Sequence, residues 1–77
     1  MQSVEVLLNS IDKVKNFVNT VSRYEGEFDL VSGRYVIDAK SIMGIFSLDL
    51  SQPIRLDVHD DAVAEKVLPE LTAFLAK

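Results

Sequence analysis

The apolar pattern of this 77-residue chain predicts an α+β fold, with helices on one face of a mostly antiparallel sheet. Residues 11–21 repeat apolar side chains at spacings of three and four, as one face of a helix requires. Four short segments alternate apolar and polar residues, and a turn signal joins two of them. The predicted order is β-α-β-β-α-β-α, with a short second helix. The length suits one domain, expected to span residues 1–77.

The first strand and the first helix are predicted from neighbouring patterns. Val4-Glu5-Val6 alternates before Leu7-Leu8, which indicates a strand with one buried face. Asn9 and Ser10 are residue types that cap helix N-termini. Asp12 then falls in the first turn, where the helix dipole favours an anion. The predicted buried stripe of this helix comprises Ile11, Val14, Phe17, Val18 and Val21.

A hairpin is predicted next. Gly26 can adopt the left-handed conformation that ends a helix. Phe28 and Leu30 alternate with acidic residues, which predicts a second strand. Ser32-Gly33 is a two-residue turn signal, and the β-branched and aromatic segment Arg34–Asp38 predicts a third strand.

The remaining elements include one ambiguous segment. Residues 39–48 are too short and too evenly apolar for periodicity to decide their state, but Ser41 favours a short helix that begins near it. Ser51-Gln52-Pro53 indicates a turn, and residues 54–58 alternate as a fourth strand. Asp60 or Asp61 is placed to cap the last helix. The predicted apolar stripe of that helix comprises Val63, Val67, Leu71, Phe74 and Leu75.

Pro69 lies inside this last helical pattern, where proline removes a backbone donor. Two outcomes are open. Either the helix bends at Pro69, or a short segment ends near Leu68 and Pro69 opens a new first turn.

Composition excludes several classes of function. The chain has no cysteine, so it has no disulfides and no thiolate metal ligands. The net charge is −4 and the basic residues are scattered, so a nucleic-acid partner is not expected. The longest uncharged stretch, Ser41–Leu48, is far below the roughly 20 residues of a membrane span. The N-terminus lacks a signal-peptide pattern, and a cytoplasmic protein is expected.

Catalytic chemistry has one weak candidate. The single histidine, His59, neighbours Asp57, Asp60 and Asp61, which suggests a general base, a metal ligand or a small-ligand domain. The alternative is a solvated turn whose carboxylates cap a helix, and one imidazole beside acids favours it. No enzyme activity, metal or cofactor is therefore predicted.

Ser41 and the apolar residues after it are the stronger candidate site. Ile42, Met43, Ile45 and Phe46 exceed what one face of a short helix can bury. Some of them are then exposed, and an exposed apolar cluster with an adaptable methionine is typical of a docking surface. From the pattern alone, burial of all four under the sheet edge is equally open.

The segment Lys40-Ser41-Ile42-Met43-Gly44, continuing through Leu48, resembles the regulatory-serine segment of HPr, the histidine-containing phosphocarrier of the sugar phosphotransferase system. The resemblance is to the form found in low-GC Gram-positive bacteria. Ser22-Arg23-Tyr24-Glu25 and the following hairpin also resemble that family. The resemblance implies an open-faced β-sandwich with four antiparallel strands, two long helices and one short helix.

The family's phosphoacceptor motif, Gly-x-His-x-Arg-Pro-Ala, is not present. Residues 8–14 occupy that region and contain no histidine, arginine or proline. Ser10 falls near the histidine's place, but a serine phosphoester is stable and does not substitute for phosphohistidine. Asp12 falls near the arginine's place, where it would repel a phosphate. Loss of phosphocarrier activity is therefore expected, and a residual carrier role is a minor alternative.

The resemblance also implies a regulatory role for Ser41. In Gram-positive members the matching serine is phosphorylated by HPr kinase/phosphorylase, and the modified protein binds a catabolite-control transcription regulator. Lys40, Ile42, Met43 and Phe46 match the partner-binding positions. The expected partners are that kinase, that regulator or a phosphotransferase-system protein. A pure docking module without phosphorylation is the alternative, and a homodimer that exchanges the first strand is a further alternative.

Overall fold

A computed structural model describes residues 1–76. Its four strands are paired in one antiparallel sheet of order β1-β4-β2-β3. The elements are β1 (Gln2–Val6), α1 (Ile11–Val21), β2 (Phe28–Ser32), β3 (Tyr35–Asp38), α2 (Ile42–Phe46), β4 (Ile54–Val58), α3 (Asp61–Val67) and a C-terminal 3₁₀ helix (Leu68–Phe74). The predicted α+β class and element order are confirmed.

The sheet has a covered face and an open face, as side-chain alternation along a strand requires. In the inner strand β4, Ile54, Leu56 and Val58 are buried in the core, whereas Arg55 between them is exposed. The buried side chains of the sheet and the helices form one hydrophobic cluster. The helices therefore cover one face, and the polar residues of the strands lie on the other.

Helix α1 follows its predicted pattern with two exceptions. Ser10 is the N-cap, and its Oγ accepts a hydrogen bond from the Lys13 backbone N–H at 3.1 Å. The prediction that Ile11 is buried is wrong, because this first residue of the helix is 62% exposed and packs outside the core cluster. Thr20 is buried instead, and its hydroxyl donates to the Asn16 carbonyl, so the buried hydroxyl has a hydrogen-bond partner.

The turns around the hairpin correct two predictions. Helix α1 ends at Val21, so Gly26, with φ of +107°, shapes the loop before β2 and does not end the helix. The hairpin turn is Gly33-Arg34, one residue later than predicted, because Ser32 still pairs with Tyr35. Gly33 has φ of +58°, and two-residue hairpin turns favour glycine at this first position.

Pro69 separates the last helical pattern into two segments. Asp60 caps α3 by accepting hydrogen bonds from the backbone N–H groups of Ala62 and Val63 at 2.9 and 3.3 Å. The α-helix ends at Val67, and the 3₁₀ helix begins with Pro69 in its first turn. The second of the two predicted outcomes is confirmed, since proline has no N–H for a continuing α-helix. No helix within residues 1–76 has the length and apolar character to cross a membrane.

Candidate functional site

Ser41 lies at the junction between β3 and the short helix α2. Its backbone N–H donates to the Asp38 carbonyl at 3.0 Å, so the chain turns directly from the strand into the helix. The Ser41 side chain is exposed, and its Oγ accepts a hydrogen bond from the Gly44 N–H at 3.3 Å. The predicted helix start is confirmed, with Ser41 as the N-cap.

The apolar residues after Ser41 separate into buried and exposed sets. Ile45 is fully buried in the core and Ile42 is half-buried against it. Met43 is 78% exposed and Phe46 is 41% exposed. Residues three apart share a face of a helix, so Met43 and Phe46 form one outward-facing pair. Inward packing of all four is therefore excluded, and Ser41, Ile42, Met43 and Phe46 are called the α2 surface below.

Gly44 allows α2 to pack closely against its surroundings. A Cβ atom at this position would lie 3.2 Å from the Ser41 Oγ and 3.4 Å from the Cδ1 of Ile37. The first contact is tighter than a Cβ atom normally makes, and the second is at the limit of ordinary van der Waals contact. Glycine weakens an isolated helix, but here it leaves room for the serine hydroxyl and for the strand below.

Lys40 is held by the loop that follows α1. Its Nζ donates to the backbone carbonyls of Tyr24 at 2.6 Å and Gly26 at 3.4 Å. The same ammonium lies 5.2 Å from the centre of the Phe28 ring, within the range of a cation–π contact. Lys40 is half-buried, and these bonds fasten the segment before Ser41 to that loop. Its predicted role as a partner contact stays a prediction.

His59 lies at the end of β4, and its neighbouring acids serve separate structural purposes. The His59 Nε2 lies 2.7 Å from the Asp29 Oδ2, and its backbone N–H donates to the Glu27 carbonyl. Asp60 caps α3, and Asp57 accepts a hydrogen bond from the Ser3 hydroxyl. Within residues 1–76, no group of three or more histidine and acidic side chains is arranged to hold a metal ion. The geometry favours the solvated-turn interpretation of His59.

Asp57 belongs to a polar group on the open face that the sequence did not indicate. It is 6% exposed, and its Oδ1 accepts from the Ser3 hydroxyl at 2.6 Å and from the Arg55 Nε at 3.0 Å. The pKa of Asp57 lies below its ordinary value, mainly because the carboxylate accepts the Ser3 hydrogen bond. The Arg55 guanidinium and the charge of His59 lower the pKa further, whereas burial raises it. Ser3 and Asp57 are paired across β1 and β4, 54 residues apart in the chain.

Replacing Ser3 by alanine is expected to destabilise the protein by about 1.5 kcal/mol at pH 7, because the Asp57 carboxylate loses a charge-assisted hydrogen bond. Because the Asp57 pKa is lowered in the folded state, the ionised carboxylate stabilises the fold at pH values above 3.8, the ordinary pKa of an aspartate. This stabilisation is lost as the pH falls through the folded-state pKa. The difference between the two proteins should therefore shrink as the pH is lowered from 7 to about 2. Urea unfolding across this pH range measures it.

Ser51→Ala is the matched control for this experiment. The Ser51 hydroxyl donates to the Asp49 Oδ1 at 2.6 Å, and this bond lowers the Asp49 pKa in the same way. Both residues are exposed in a turn, where water replaces the lost partner. A Ser51→Ala effect as large as that of Ser3→Ala would contradict the role given to burial of Asp57.

An open depression of about 410 Å³ lies beside β2 and β3. Its lining residues are Gly26, Glu27, Phe28, Asp29, Asp38 and Lys40. The ammonium of Lys40 is already bound to backbone carbonyls, and Asp29 is paired with His59. This depression is separate from the α2 surface.

Comparison with known proteins identifies the family of this chain. The sequence profile described as "PTS HPr component phosphorylation site" matches residues 13–77, which is most of the chain. The chain belongs to the HPr family. Members of this family are phosphocarriers of the phosphotransferase system and interact with its proteins. The match begins at Lys13 and so does not include residues 8–12.

Solved HPr structures agree with this assignment. HPr from Thermoanaerobacter tengcongensis is 29% identical, with a TM-score of 0.75 over 95% of this chain and 92% of that one. The phosphocarrier protein HPr from Bacillus anthracis is 27% identical, with a TM-score of 0.67 over 97% of this chain and 94% of that one. No curated protein matches the sequence. The predicted HPr-like sandwich is confirmed.

Proposed function

We propose that this chain is a non-catalytic, regulatory member of the HPr family that binds protein partners through the α2 surface. The partners are proteins of the phosphotransferase system or of carbon catabolite control, and Ser41 is the site at which phosphorylation regulates their binding. One observation carries this proposal: an exposed serine begins α2, beside Met43 at 78% exposure. Cytoplasmic localisation is part of the proposal, since the phosphotransferase system supplies the partners.

Phosphorylation of Ser41 would change the chemistry of the α2 surface. A phosphoserine adds about 1.5 to 2 negative charges and three acceptor oxygens. The Gly44 N–H, which now donates to the Ser41 Oγ, points at the place where the new charge would lie. The surface would then present an anion next to two exposed apolar side chains, and a partner with a basic group beside an apolar pocket fits it.

A phosphocarrier role has less support. The sequence holds one histidine, and His59 follows β4, where it is paired with Asp29. Ser10 lies near the family's phosphoacceptor position, but its hydroxyl caps α1. Acid-labile phosphate on the chain after incubation with the upstream enzyme of the system would revive the carrier function. A small-ligand function of His59 would require an activity that His59→Ala abolishes.

Incubation with HPr kinase/phosphorylase and nucleotide is expected to add one phosphoryl group, a gain of about 80 Da. The mass of Ser41→Ala should stay unchanged. Ser47→Ala is the matched control, because Ser47 is exposed at the other end of α2 and its hydroxyl donates to the Gly44 carbonyl at 2.6 Å. This variant should be phosphorylated like the wild type. An unmodified wild-type chain beside a kinase that modifies a Gram-positive HPr would refute the switch.

A pure docking module is the second candidate, and one observation favours it. The Ser41 hydroxyl already serves as the N-cap of α2 and is therefore accounted for without phosphorylation. Aspartate is also a good N-cap but adds a negative charge. If Ser41→Asp leaves partner affinity unchanged while Phe46→Ala weakens it, the docking module is supported and the phosphorylation switch is not.

A further inference from the structure

The two edges of the sheet differ in how they are covered. The outer edge of β1 is occupied by the end of the chain: the Leu7 N–H donates to the Phe74 carbonyl at 2.8 Å, the Ala76 N–H donates to the Glu5 carbonyl at 2.9 Å, and Val6 forms a bridge with Leu75. The outer edge of β3 has no paired strand within residues 1–76. An uncovered strand edge is a template for pairing with another chain.

The register shows which backbone groups of β3 point outward. The Ala39 N–H donates to the Phe28 carbonyl at 2.8 Å, and antiparallel partners alternate between bonded and non-bonded pairs. Tyr35 and Ile37 therefore bond inward to β2, and Val36 and Asp38 point outward. The Asp38 carbonyl accepts from Ser41. The outer edge thus offers the N–H and C=O of Val36 and the N–H of Asp38.

The side chains of β3 protect this edge only weakly. Tyr35 is 70% exposed and Val36 is 63% exposed, among the most exposed large apolar residues of the described chain. The strand contains no lysine or proline, the residue types that commonly block edge pairing. Its shortness and the charge of Asp38 are its protective features, and they limit the strength of any association.

We propose that a second copy of this chain pairs antiparallel along β3, with Val36 opposite Val36 on a two-fold axis. In this register Tyr35 lies opposite Ile37 of the second copy, an aromatic–β-branched pair, and Arg34 lies opposite Asp38 of the second copy. Both cross-strand pairs occur twice by symmetry. A shift that moves Val36 opposite Asp38 would place Arg34 opposite Lys40, so like charges disfavour it.

The charges of β3 also suit a second copy. Asp38 lies directly opposite Asp29 within the sheet, an unfavourable pair of like charges. Within residues 1–76, neither Arg34 nor Asp38 forms a salt bridge. The second copy brings Arg34 to Asp38 and compensates this charge. This pairing is distinct from exchange of β1, which would first have to break the hydrogen bonds between β1 and residues 74–76 of the same chain.

The contact is small, since a four-residue strand covers much less than the about 1,600 Å² of a standard interface. The dimer should therefore be weak and visible only at high concentration. Sedimentation equilibrium and NMR diffusion of the full chain, up to about 1 mM, are expected to show a reversible dimer. Val36→Lys should weaken association at least about tenfold. Met43→Lys, a matched change on the α2 surface, should leave it unchanged.

A charge exchange tests the register. Arg34→Glu alone and Asp38→Lys alone place like charges opposite each other twice, so each protein should be monomeric. An equimolar mixture at the same total concentration makes both pairs complementary and should dimerise. Circular dichroism checks that Asp38→Lys still folds, and the Val36→Lys result stands if it does not. A monomeric wild type at about 1 mM, an unaffected Val36→Lys dimer or a monomeric mixture of folded variants would each overturn the proposal.

Discussion

Replacing Phe17 by alanine is expected to lower the free energy of unfolding by about 3–5 kcal/mol, the range for deleting a large buried aromatic side chain. Phe17 is fully buried on α1, and its ring meets that of Phe74 edge-to-face, with centroids 5.8 Å apart and planes at 84°. The pair joins the middle of α1 to the 3₁₀ helix. Alanine would leave a cavity between them that the remaining side chains cannot fill.

This loss is large compared with the total stability of a domain of this size, which is about 5–10 kcal/mol. We expect the midpoint of thermal unfolding to fall by roughly 15–30 °C. Circular dichroism with heat or urea as the denaturant measures the change. Phe46→Ala is the matched control, because Phe46 is the same residue type at 41% exposure and its loss should cost far less. Equal destabilisation by the two variants would contradict the assignment of Phe17 to the core.

Phe46→Ala is expected to have its large effect on binding, with a loss of about 10- to 100-fold in affinity for HPr kinase/phosphorylase, the kinase proposed to modify Ser41. Exposed aromatic side chains in the centre of a docking surface commonly supply much of the binding energy. Met43→Ala should weaken binding in the same direction. Calorimetric titration with HPr kinase/phosphorylase measures the affinity, and the thermal midpoint of each variant shows that the fold is retained.

Val36→Ala is the control for this measurement. Val36 is also an exposed apolar residue, at 63%, but it lies on β3 and outside the α2 surface. The affinity of the Val36→Ala variant for the kinase should equal that of the wild type. If Val36→Ala weakens binding and Phe46→Ala does not, the partner binds at the sheet edge and the α2 surface is not the docking site.

Much of the fold was predictable because its signals are local. Ser10, Ser41 and Asp60 cap the three α-helices by bonding backbone groups two or three residues away. At Pro69 the missing N–H left two outcomes open, a bend or a break, and only the structure shows the break. The hairpin was predicted one residue early, because Ser32-Gly33 and Gly33-Arg34 are both plausible turns. Only the pairing of Ser32 with Tyr35 decides between them.

The candidate site was predictable only in part. The resemblance of residues 40–48 to the HPr segment singled out Ser41, and the excess of apolar residues indicated some exposure. Pattern alone left open whether Met43 and Phe46 are exposed, because five helical residues give too short a window for periodicity. Packing of Ile45 into the core orients the helix and so turns Met43 outward. The hydrogen bonds of Lys40 to the loop after α1 could likewise not be predicted from the residues next to Lys40 in the sequence.

By itself, the sequence determined the order of helices and strands, the short segments that hold the helix caps, the family resemblance and the absence of a Gly-x-His-x-Arg-Pro-Ala motif. Each of these depends on residue identity or on spacings of a few residues. The tertiary structure alone decided which apolar side chains form the α2 surface, which acids His59 and Ser3 meet, and which edge of the sheet stays open. These features depend on contacts between residues far apart in the chain, and such contacts exist only once the strands have paired.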